Sequence, residues 1–348
     1  MSHGGDIYRN KVDIDFSVNL NPLGIRPEMK EALTKALGRS IEYPDREQSL
    51  VREKIAELEE LDFGNVFAGC GASELILAIV RSLRPGNALI YAPSYTGYER
   101  ALDGAGVDIL YHNTMKESGF ELTMEDAASV TDKTDLVFLC DPINPTGKNL
   151  KEDVLEEMVR KANEAGAKVV LDESFYLLSE RCEGSFRTKS IDLLRKYDNL
   201  YILRSFTKLF CVPGIRAGIV FGSHEGIREI AKQVPEWNLP VTSEAVISAG
   251  YDIMKKGTFL KDTLAAVREG RNYLTQKLKD FGFNVYDSDT SFIMFEAPKG
   301  LRPKLLAKGI LIRECDDYSG LGEGYYRIAV RNTEDNSKLI KAIGECLV

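Results

Sequence analysis

The chain has 348 residues, of which 44% are hydrophobic and 28% are charged, close to the composition of ordinary soluble globular proteins. This length is enough for roughly two domains of about 150 residues each. The formal net charge of −8 argues against nucleic acid or an anionic membrane as the main partner, and no apolar run approaches the ~18 residues of a membrane span. Local basic pockets for small anions remain compatible with these values.

The cysteines and histidines narrow the function further. The six cysteines are scattered without a CxxC spacing, which is typical of reduced thiols in a cytosolic protein. The first residues lack the apolar region of a secretory signal, so we expect a cytoplasmic location. With histidines only at positions 3, 112 and 224, a His-rich metal site or a Ser-His-Asp triad is not expected.

Near the N-terminus, a strand-like run at Ile14–Val18 leads into Asn19 and then into a turn at Asn21-Pro22. One interpretation is a mobile terminus followed by an ordinary Asx turn. The other is a segment that lies over an active site, where His3 and Asn19 would offer hydrogen bonds. The residues alone favour the first interpretation.

The next pattern predicts helices at Pro27–Leu37 and Gln48–Leu61, interrupted by Tyr43-Pro44-Asp45. A short strand at 65–68 then runs into the glycine-rich turn Gly69–Glu74, followed by a helix. Free backbone N–H groups at such a helix start suit a phosphate. A plain turn with Ser73 as the N-cap is an equally good interpretation. The turn has neither GxGxxG nor GK[ST], so a dinucleotide or P-loop fold is not favoured.

Short buried strands alternate with helical patterns through the middle of the chain, which indicates an α/β domain with a mostly parallel sheet. The strand candidates are Ala88–Ala92, Val107–Tyr111, Leu136–Cys140, Lys168–Leu171, Leu200–Leu203 and Gly218–Phe221. Ligands of such sheets bind beyond the carboxyl ends of the strands. Four of these strands are followed by polar or aromatic groups: Tyr95, the run DPINPTG containing Asn144, Asp172 and Lys208.

The stretch Arg204–Gly218 places Lys208 close to Ser205, Thr207 and Arg216. A lysine between apolar runs is costly to bring in from water. It is either an ordinary surface lysine or a lysine that forms a Schiff base with an aldehyde cofactor, whose phosphate the hydroxyls and the arginine bind. We favour the second interpretation.

From about residue 243 the pattern changes to a long helical stretch, Ser243–Phe281, and then to strands near Val285, Phe292–Phe295, Ile310–Arg313 and Tyr325–Val330. We therefore expect a large α/β cofactor-binding domain at 36–242 and a smaller α+β domain formed by 1–35 and 243–348. Arg313 and Arg327 lie on strands of the smaller domain. Arginine suits bidentate binding of a carboxylate or phosphate, although a surface charge on a strand is the commoner case.

The chain resembles the fold-type-I pyridoxal-phosphate enzymes of the aminotransferase class I/II superfamily. The resemblance is carried by four features in this order: Asn144 of NPTG, Asp172, the SxTK run ending at Lys208, and Arg216. The resemblance spans nearly the whole chain. Within the superfamily, the chain looks most like the histidinol-phosphate aminotransferase and L-threonine-O-3-phosphate decarboxylase group. HGGDI and FSVNLNPLG lean toward the decarboxylase branch. The resemblance implies a mostly parallel seven-stranded sheet with helices on both faces, plus a smaller α+β domain.

The same resemblance implies roles for single residues. Lys208 would form the Schiff base with pyridoxal 5′-phosphate, and Asp172 would pair with the ring nitrogen. Asn144 would bind the phenolic oxygen, and Tyr95 would stack on the ring. The groups implied to hold the phosphate are the N–H groups of Ala72 and Ser73, the hydroxyls of Ser205 and Thr207, and Arg216. The aminotransferase branch of the family commonly has a tyrosine after Asp-Glu-Ala, where this chain has Phe175, so the hydroxyl expected there is missing.

Tyr43 resembles the tyrosine that reaches the cofactor phosphate from a neighbouring subunit, which implies a homodimer with shared sites. Arg327 would bind the substrate α-carboxylate. Arg313, with His3 and Asn19, is a candidate for a substrate phosphate.

The leading hypothesis is an aminotransferase of the histidinol-phosphate type, which passes an amino group from a small donor to a 2-oxo acid. Decarboxylation of a phosphorylated amino acid is the alternative, because no motif fixes which Cα bond reacts. Two others are a cofactor-binding module without catalysis, which would usually carry a fused DNA-binding segment that we do not expect here, and a ligand-binding protein without a cofactor.

Overall fold

The computed structural model describes residues 4–347. The strands, in chain order, are β1 (Ile14–Asp15), β2 (Val66–Gly69), β3 (Asn87–Ala92), β4 (Asp108–Asn113), β5 (Leu136–Cys140), β6 (Lys168–Asp172), β7 (Leu200–Ser205), β8 (Gly218–Phe221), β9 (Asn284–Val285), β10 (Phe292–Glu296), β11 (Ile310–Leu311), β12 (Arg313–Glu314) and β13 (Tyr325–Ala329). The α-helices are α1 (Pro27–Leu37), α2 (Ser49–Glu59), α3 (Ala72–Leu83), α4 (Gly97–Asp103), α5 (Glu152–Ala165), α6 (Ser190–Leu193), α7 (Phe206–Leu209), α8 (His224–Ala231), α9 (Val241–Lys255), α10 (Phe259–Asp280), α11 (Leu301–Leu306) and α12 (Thr333–Leu347).

A seven-stranded sheet forms the centre of the chain, in the order β2-β8-β7-β6-β5-β3-β4. Only β8 runs against the others, because it pairs antiparallel with both β7 and β2. The predicted α/β architecture with a mostly parallel seven-stranded sheet is confirmed. The reversal of β8 places its first residue, Gly218, at the edge where the parallel strands end.

The two faces of this sheet are covered by two separate hydrophobic clusters. Successive side chains of a strand point to opposite faces, so Val137 and Leu139 of β5 belong to one cluster, whereas Leu136 and Phe138 belong to the other. All four side chains are buried. This burial on both faces explains why the parallel strands read as continuous apolar runs.

A second sheet, with the order β12-β13-β10-β9, is antiparallel and packs against α10, α11 and α12 through a third hydrophobic cluster. β1 pairs in parallel with β11, which attaches the N-terminal segment to this part of the chain. The division into domains at 36–242, and at 1–35 with 243–348, stays a prediction.

Three details of the sequence interpretation are wrong. The stretch 243–281 is not one helix, because α9 and α10 are separated at residues 256–258. The run 310–313 is divided between β11 and β12, which belong to different sheets. Ser73 is not an N-cap, since it lies inside α3 and the N-cap position is Gly71. The Asx turn is confirmed, since Leu23 N–H donates to Asn21 Oδ1 at 3.0 Å.

A buried ionic cluster lies beneath the ends of β6 and β7. Arg204 donates to Glu59 Oε1 at 2.5 Å, to Glu173 Oε2 at 3.2 Å and to Thr188 Oγ1 at 2.7 Å. Arg204, Glu59 and Glu173 are at most 2% exposed. Burial raises the pKa of Glu173, while the Arg204 guanidinium opposes that rise. Because two buried carboxylates share one cation, the arginine holds together α2 and the strands that carry the site.

We expect Arg204→Met to lower the free energy of unfolding by about 3–5 kcal/mol, because it leaves two buried carboxylates without their cation. Urea unfolding followed by circular dichroism measures this change. Arg195→Met is the matched control: its ion pair with Asp192 is half exposed, so its loss should stay within about 0.5 kcal/mol. Equal losses in the two variants would contradict the role given to Arg204.

Candidate active site

A cavity of about 270 Å³ opens where the parallel strands of the central sheet end. Ten of the residues predicted from the sequence line it: Asn19, Ala72, Ser73, Tyr95, Asn144, Asp172, Lys208, Arg216, Arg313 and Arg327. They come from segments far apart in the sequence, so the fold and not local spacing brings them together. The cavity lies at the position expected for a ligand of an open α/β sheet.

Lys208 lies on α7, directly after β7, and its half-buried side chain faces the cavity. Its Nζ donates to Ser205 Oγ at 3.4 Å and lies 5.7 Å from the centre of the Phe175 ring. Burial lowers the pKa of Lys208 to about 8; Asp172 opposes the decrease, and Arg216 and Arg327 add to it. The amine is therefore much closer to its neutral, nucleophilic form at neutral pH than an ordinary lysine.

Asp172 ends β6, is 4% exposed and is held by two donors. Tyr98 O–H donates to Asp172 Oδ2 at 2.8 Å, and the backbone N–H of Ser174 donates to Oδ1 at 2.9 Å. The Tyr98 ring stacks on Phe138 with the ring centres 4.7 Å apart. The carboxylate thus has a fixed orientation at the wall of the cavity.

An anion-binding corner is formed where α3 begins. Gly71 has a φ of +84°, and a Cβ at this position would lie 2.6 Å from Arg216 Nη2, so only glycine lets the guanidinium lie against the turn. Gly218 approaches as closely, since a Cβ there would lie 2.7 Å from the Ala72 nitrogen. Ser205 pairs with Gly218 in the register of β7 with β8, and its hydroxyl shares a hydrogen bond of 2.8 Å with that of Thr207.

Arg327 forms the opposite wall. Its Nη1 donates to Asn144 Oδ1 at 2.5 Å and to the Tyr318 hydroxyl at 3.3 Å, and its Nη2 donates to the Ser17 carbonyl at 2.9 Å. Arg313 lies directly across the strand pair from Arg327, in the register of β12 with β13. Arg313 also pairs with Asp317, with 2.5 Å between Nη2 and Oδ1.

Three described residues of the predicted site do not line the cavity: Ser205, Thr207 and Tyr43. Tyr43 is 80% exposed and does not line the cavity of its own chain. His3 lies outside the described residues. Gly4 does line the cavity.

The model of the family described as aminotransferase class I and II matches residues 11–343. The chain belongs to this family. Enzymes of the family depend on pyridoxal phosphate, and this is the cofactor of the chain. The fold, the enzyme class and the cofactor predicted from the sequence are confirmed.

Histidinol-phosphate aminotransferases and threonine-phosphate decarboxylases are both among the relatives. A histidinol-phosphate aminotransferase 2 of Archaeoglobus fulgidus is 33% identical, over 97% of this chain and 94% of that protein. A threonine-phosphate decarboxylase of Salmonella typhimurium is 28% identical, over 96% of this chain and 91% of that protein. Among solved structures, the histidinol-phosphate aminotransferase of Clostridium acetobutylicum has a TM-score of 0.86 at 26% identity, and covers 96% of this chain and 98% of its own.

The residues of the cavity fit an aminotransferase cofactor on grounds of their own chemistry. The corner at Gly71 presents backbone N–H groups and a guanidinium, which suits a phosphate. Two buried polar atoms at the cavity, Asn19 Oδ1 and Arg327 Nε, have no hydrogen-bond partner in residues 4–347. Such atoms are normally satisfied, so a bound ligand is the expected source of their partners.

Within the same residues, no cluster of histidine, cysteine, aspartate or glutamate could hold a metal ion. None of the helices found there is long and apolar enough to cross a membrane.

Sequence reasoning missed two tyrosines of the site, Tyr98 and Tyr318. Tyr98 lies in α4, whereas Tyr95 precedes that helix, so no helical spacing in the sequence linked the two tyrosines. Tyr318 lines the cavity, and its hydroxyl lies 3.4 Å from Asn144 Oδ1. It belongs to a segment after β12 that carries no recognisable pattern.

We expect Lys208 in the cofactor-free protein to react with an amine reagent at a rate that rises with pH around a midpoint near 8, because the amine must lose its proton first. Arg216→Met removes a nearby cation and should raise this midpoint, whereas Asp172→Asn removes an anion and should lower it. Peptide mass spectrometry after timed labelling measures the rate at Lys208. A midpoint near 10, as for an ordinary lysine, would contradict the burial argument.

We expect Tyr98→Phe to weaken pyridoxal-phosphate binding roughly tenfold, because Asp172 loses a hydrogen bond to a charged group worth about 1.5 kcal/mol. The phenyl ring keeps the stacking on Phe138, so the fold should be retained. A spectroscopic titration of the cofactor-free protein measures the dissociation constant. Tyr201→Phe, a buried tyrosine that does not line the cavity, is the control and should leave it unchanged.

Proposed function

We propose that the protein is a pyridoxal-phosphate-dependent aminotransferase that acts on a small phosphorylated amino acid or amine, in the manner of histidinol-phosphate aminotransferases. The observation that carries the proposal is the charge of the cavity. Four cations line it, and Asp172 is the one acid among its described lining residues. The lining cations are Lys208, Arg216, Arg313 and Arg327.

Two of these cations are cross-strand neighbours, which supports an anionic substrate. Arg313 and Arg327 face each other in the register of β12 and β13, and like charges in such positions destabilise a sheet. Asp317 offsets part of this repulsion through its ion pair with Arg313. A bound carboxylate near Arg327 and a phosphate near Arg313 would offset the rest, with Asn19 as a further hydrogen-bond partner.

The residues on the opposite side would hold the cofactor. Arg216, the N–H groups of Ala72 and Ser73, and the hydroxyls of Ser205 and Thr207 would hold the phosphate. Tyr95 would cover the ring face, and Asn144 would donate to the phenolic oxygen through its amide N–H while its Oδ1 accepts from Arg327. His3, in the sequence-based assignment, remains a candidate for the substrate phosphate.

Pyridoxal phosphate, when bound, supplies an electron-accepting ring that stabilises negative charge at the substrate Cα. Asp172 would favour the protonated form of the ring nitrogen, since it offers a carboxylate in a fixed orientation. Lys208 would bind the cofactor aldehyde through Nζ, and after release by the substrate amine it would move the proton at Cα. Its lowered pKa of about 8 suits both roles, since a general base works best near the operating pH.

We further propose a homodimer in which Tyr43 completes the phosphate site of the neighbouring protomer. The exposure of Tyr43 supports this, because a large ring that is 80% exposed contributes little to its own chain. A cytoplasmic location is supported by the cysteines, all six of which are free.

The alternative function is decarboxylation of L-threonine-O-3-phosphate. The threonine-phosphate decarboxylase from Salmonella typhimurium, at 28% identity over 96% of this chain, favours it. Both reactions would use the same cofactor residues and the same pair of arginines. They differ in which bond at Cα is broken, and so in their products.

The decisive experiment incubates the purified, cofactor-loaded protein separately with histidinol phosphate plus 2-oxoglutarate and with threonine phosphate. We expect glutamate to form in the first reaction and no carbon dioxide to be released in the second. Mass spectrometry of the amino acids and trapping of carbon dioxide measure the two products. Lys208→Ala should remove the absorbance of the covalent linkage to the cofactor and abolish the reaction.

The matched substrate-side variant is Arg327→Lys, which keeps a charge but cannot bind a carboxylate in a bidentate way. It should raise the KM for 2-oxoglutarate, which carries the carboxylate, more than it lowers kcat. Carbon dioxide release without amino transfer would decide for the decarboxylase, and failure of every amino donor to react would overturn the proposal.

A further inference from the structure

Gln48 covers the free edge of the central sheet where β2 ends. β2 is the outermost strand on its side of that sheet. The Gln48 amide donates to the Ala68 carbonyl at 2.8 Å, and its Oε1 accepts from the Ala68 N–H at 2.9 Å. One side chain thus satisfies both backbone groups that Ala68 turns away from β8. Gln48 is 3% exposed, although it lies in the connection that carries Tyr43.

The same amide is joined to the glycine-rich turn. Gln48 Nε2 donates to Asn238 Oδ1 at 2.9 Å, and Asn238 Nδ2 donates to Glu74 Oε2 at 3.0 Å. Glu74 Oε2 accepts from the Cys70 N–H at 2.7 Å, inside the turn that forms the anion-binding corner. A continuous chain of hydrogen bonds therefore runs from Gln48 to the turn.

Two segments lie side by side here: residues 43–48, which we call the Tyr43 segment, and residues 236–238, which we call the Trp237 segment. Three side-chain contacts join them: Tyr43 with Trp237, ring centres 4.8 Å apart; Arg46 with Glu236 at 3.1 Å; and Gln48 with Asn238 at 2.9 Å. The contacts extend from the protein surface to the buried edge of β2.

Both segments contain backbone strain. Gln48 and Trp237 each have a φ of +56°, in the left-handed region that residues other than glycine seldom adopt. Such conformations persist only where the surroundings hold them, and they concentrate at functional positions. The strain and the hydrogen bonds both indicate that the position of the Tyr43 segment is tightly controlled.

The two segments hold the exposed ring of Tyr43. Tyr43 is 80% exposed and Trp237 is 44% exposed, so their contact buries little apolar area within the chain. Packing within one chain therefore does not account for so many fixed contacts around Tyr43.

We propose that Gln48, Asn238 and Trp237 are positioning residues that aim Tyr43 at the cofactor phosphate of the neighbouring protomer. The inference rests on the proposed homodimer. The hydrogen bonds join the Tyr43 segment to the glycine-rich turn of the same chain. One set of hydrogen bonds would therefore fix two things in each protomer: its own anion-binding corner, and the tyrosine that enters the site of the neighbouring protomer.

A double-mutant cycle on the dissociation constant of pyridoxal phosphate tests the proposal. The variants are Gln48→Ala, Tyr43→Phe and the double variant, each titrated by absorbance. Gln48→Ala should weaken binding roughly tenfold when Tyr43 is present, because the hydrogen bonds that join the Tyr43 segment to Ala68 and Asn238 are lost. In the Tyr43→Phe background, Gln48→Ala should raise the dissociation constant less than about threefold, since there is no hydroxyl left to position. Gln276→Ala, an exposed glutamine of α10, is the matched control and should change nothing.

The outcomes separate this proposal from the function itself. If Tyr43→Phe weakens binding but Gln48→Ala costs the same in both backgrounds, the network supports only its own chain, and the positioning role is overturned. If Tyr43→Phe has no effect, the shared site of the proposed homodimer is wrong, and the inference with it. Failure of the unmodified protein to bind the cofactor would overturn the proposed function as well.

A milder pair of variants guards against a folding defect in Gln48→Ala. Trp237→Ala removes the ring that supports Tyr43, and it should weaken cofactor binding about threefold to tenfold. Trp237→Phe keeps an aromatic ring and should restore most of the affinity.

Because Trp237 is the only tryptophan of the chain, its fluorescence reports directly on its contact with Tyr43. Acrylamide should quench the Trp237 fluorescence more strongly in Gln48→Ala than in the unmodified protein. Equal quenching in the two proteins would contradict the idea that Gln48 helps to hold Trp237 in place.

Discussion

The reversed strand β8 is the constraint on which the site depends. A strand parallel to β7 would require a long crossover, whereas an antiparallel neighbour can follow after a short connection. Lys208, which follows β7, and Arg216, which precedes β8, therefore lie at the same edge of the sheet. Gly218 lies against the start of α3. Three parts of the site, the amine, the guanidinium and the turn, are brought together by one change of strand direction.

The charges of the cavity depend on the surroundings that this arrangement creates. Burial disfavours the ammonium form of Lys208, and two neighbouring guanidinium groups act in the same direction. Asp172 is the opposing charge, and Tyr98 keeps it in place. The site thus combines an amine whose ammonium form is disfavoured with a carboxylate held in a fixed orientation.

Much of the fold could be predicted from the sequence, because buried parallel strands read as apolar runs with clear ends. β5 and β8 have the bounds expected, and the polar residues after each strand do lie around one cavity. Arg313 shows the limit of this reasoning. Its strand was expected, but the register that places it opposite Arg327 depends on pairing over a distance in sequence, which a local pattern does not contain. Tyr318 was missed for the same reason, since it reaches Asn144 from a segment without regular structure.

The side chain of Gln48 has one more consequence. The outer strand of a sheet carries unpaired backbone groups that can recruit a strand from another molecule and so start aggregation. At Ala68 both of these groups are already occupied by an amide that imitates a neighbouring strand for a single residue. The chain thereby blocks this border of its main sheet at Ala68 with a side chain, where an incoming strand would need both backbone groups.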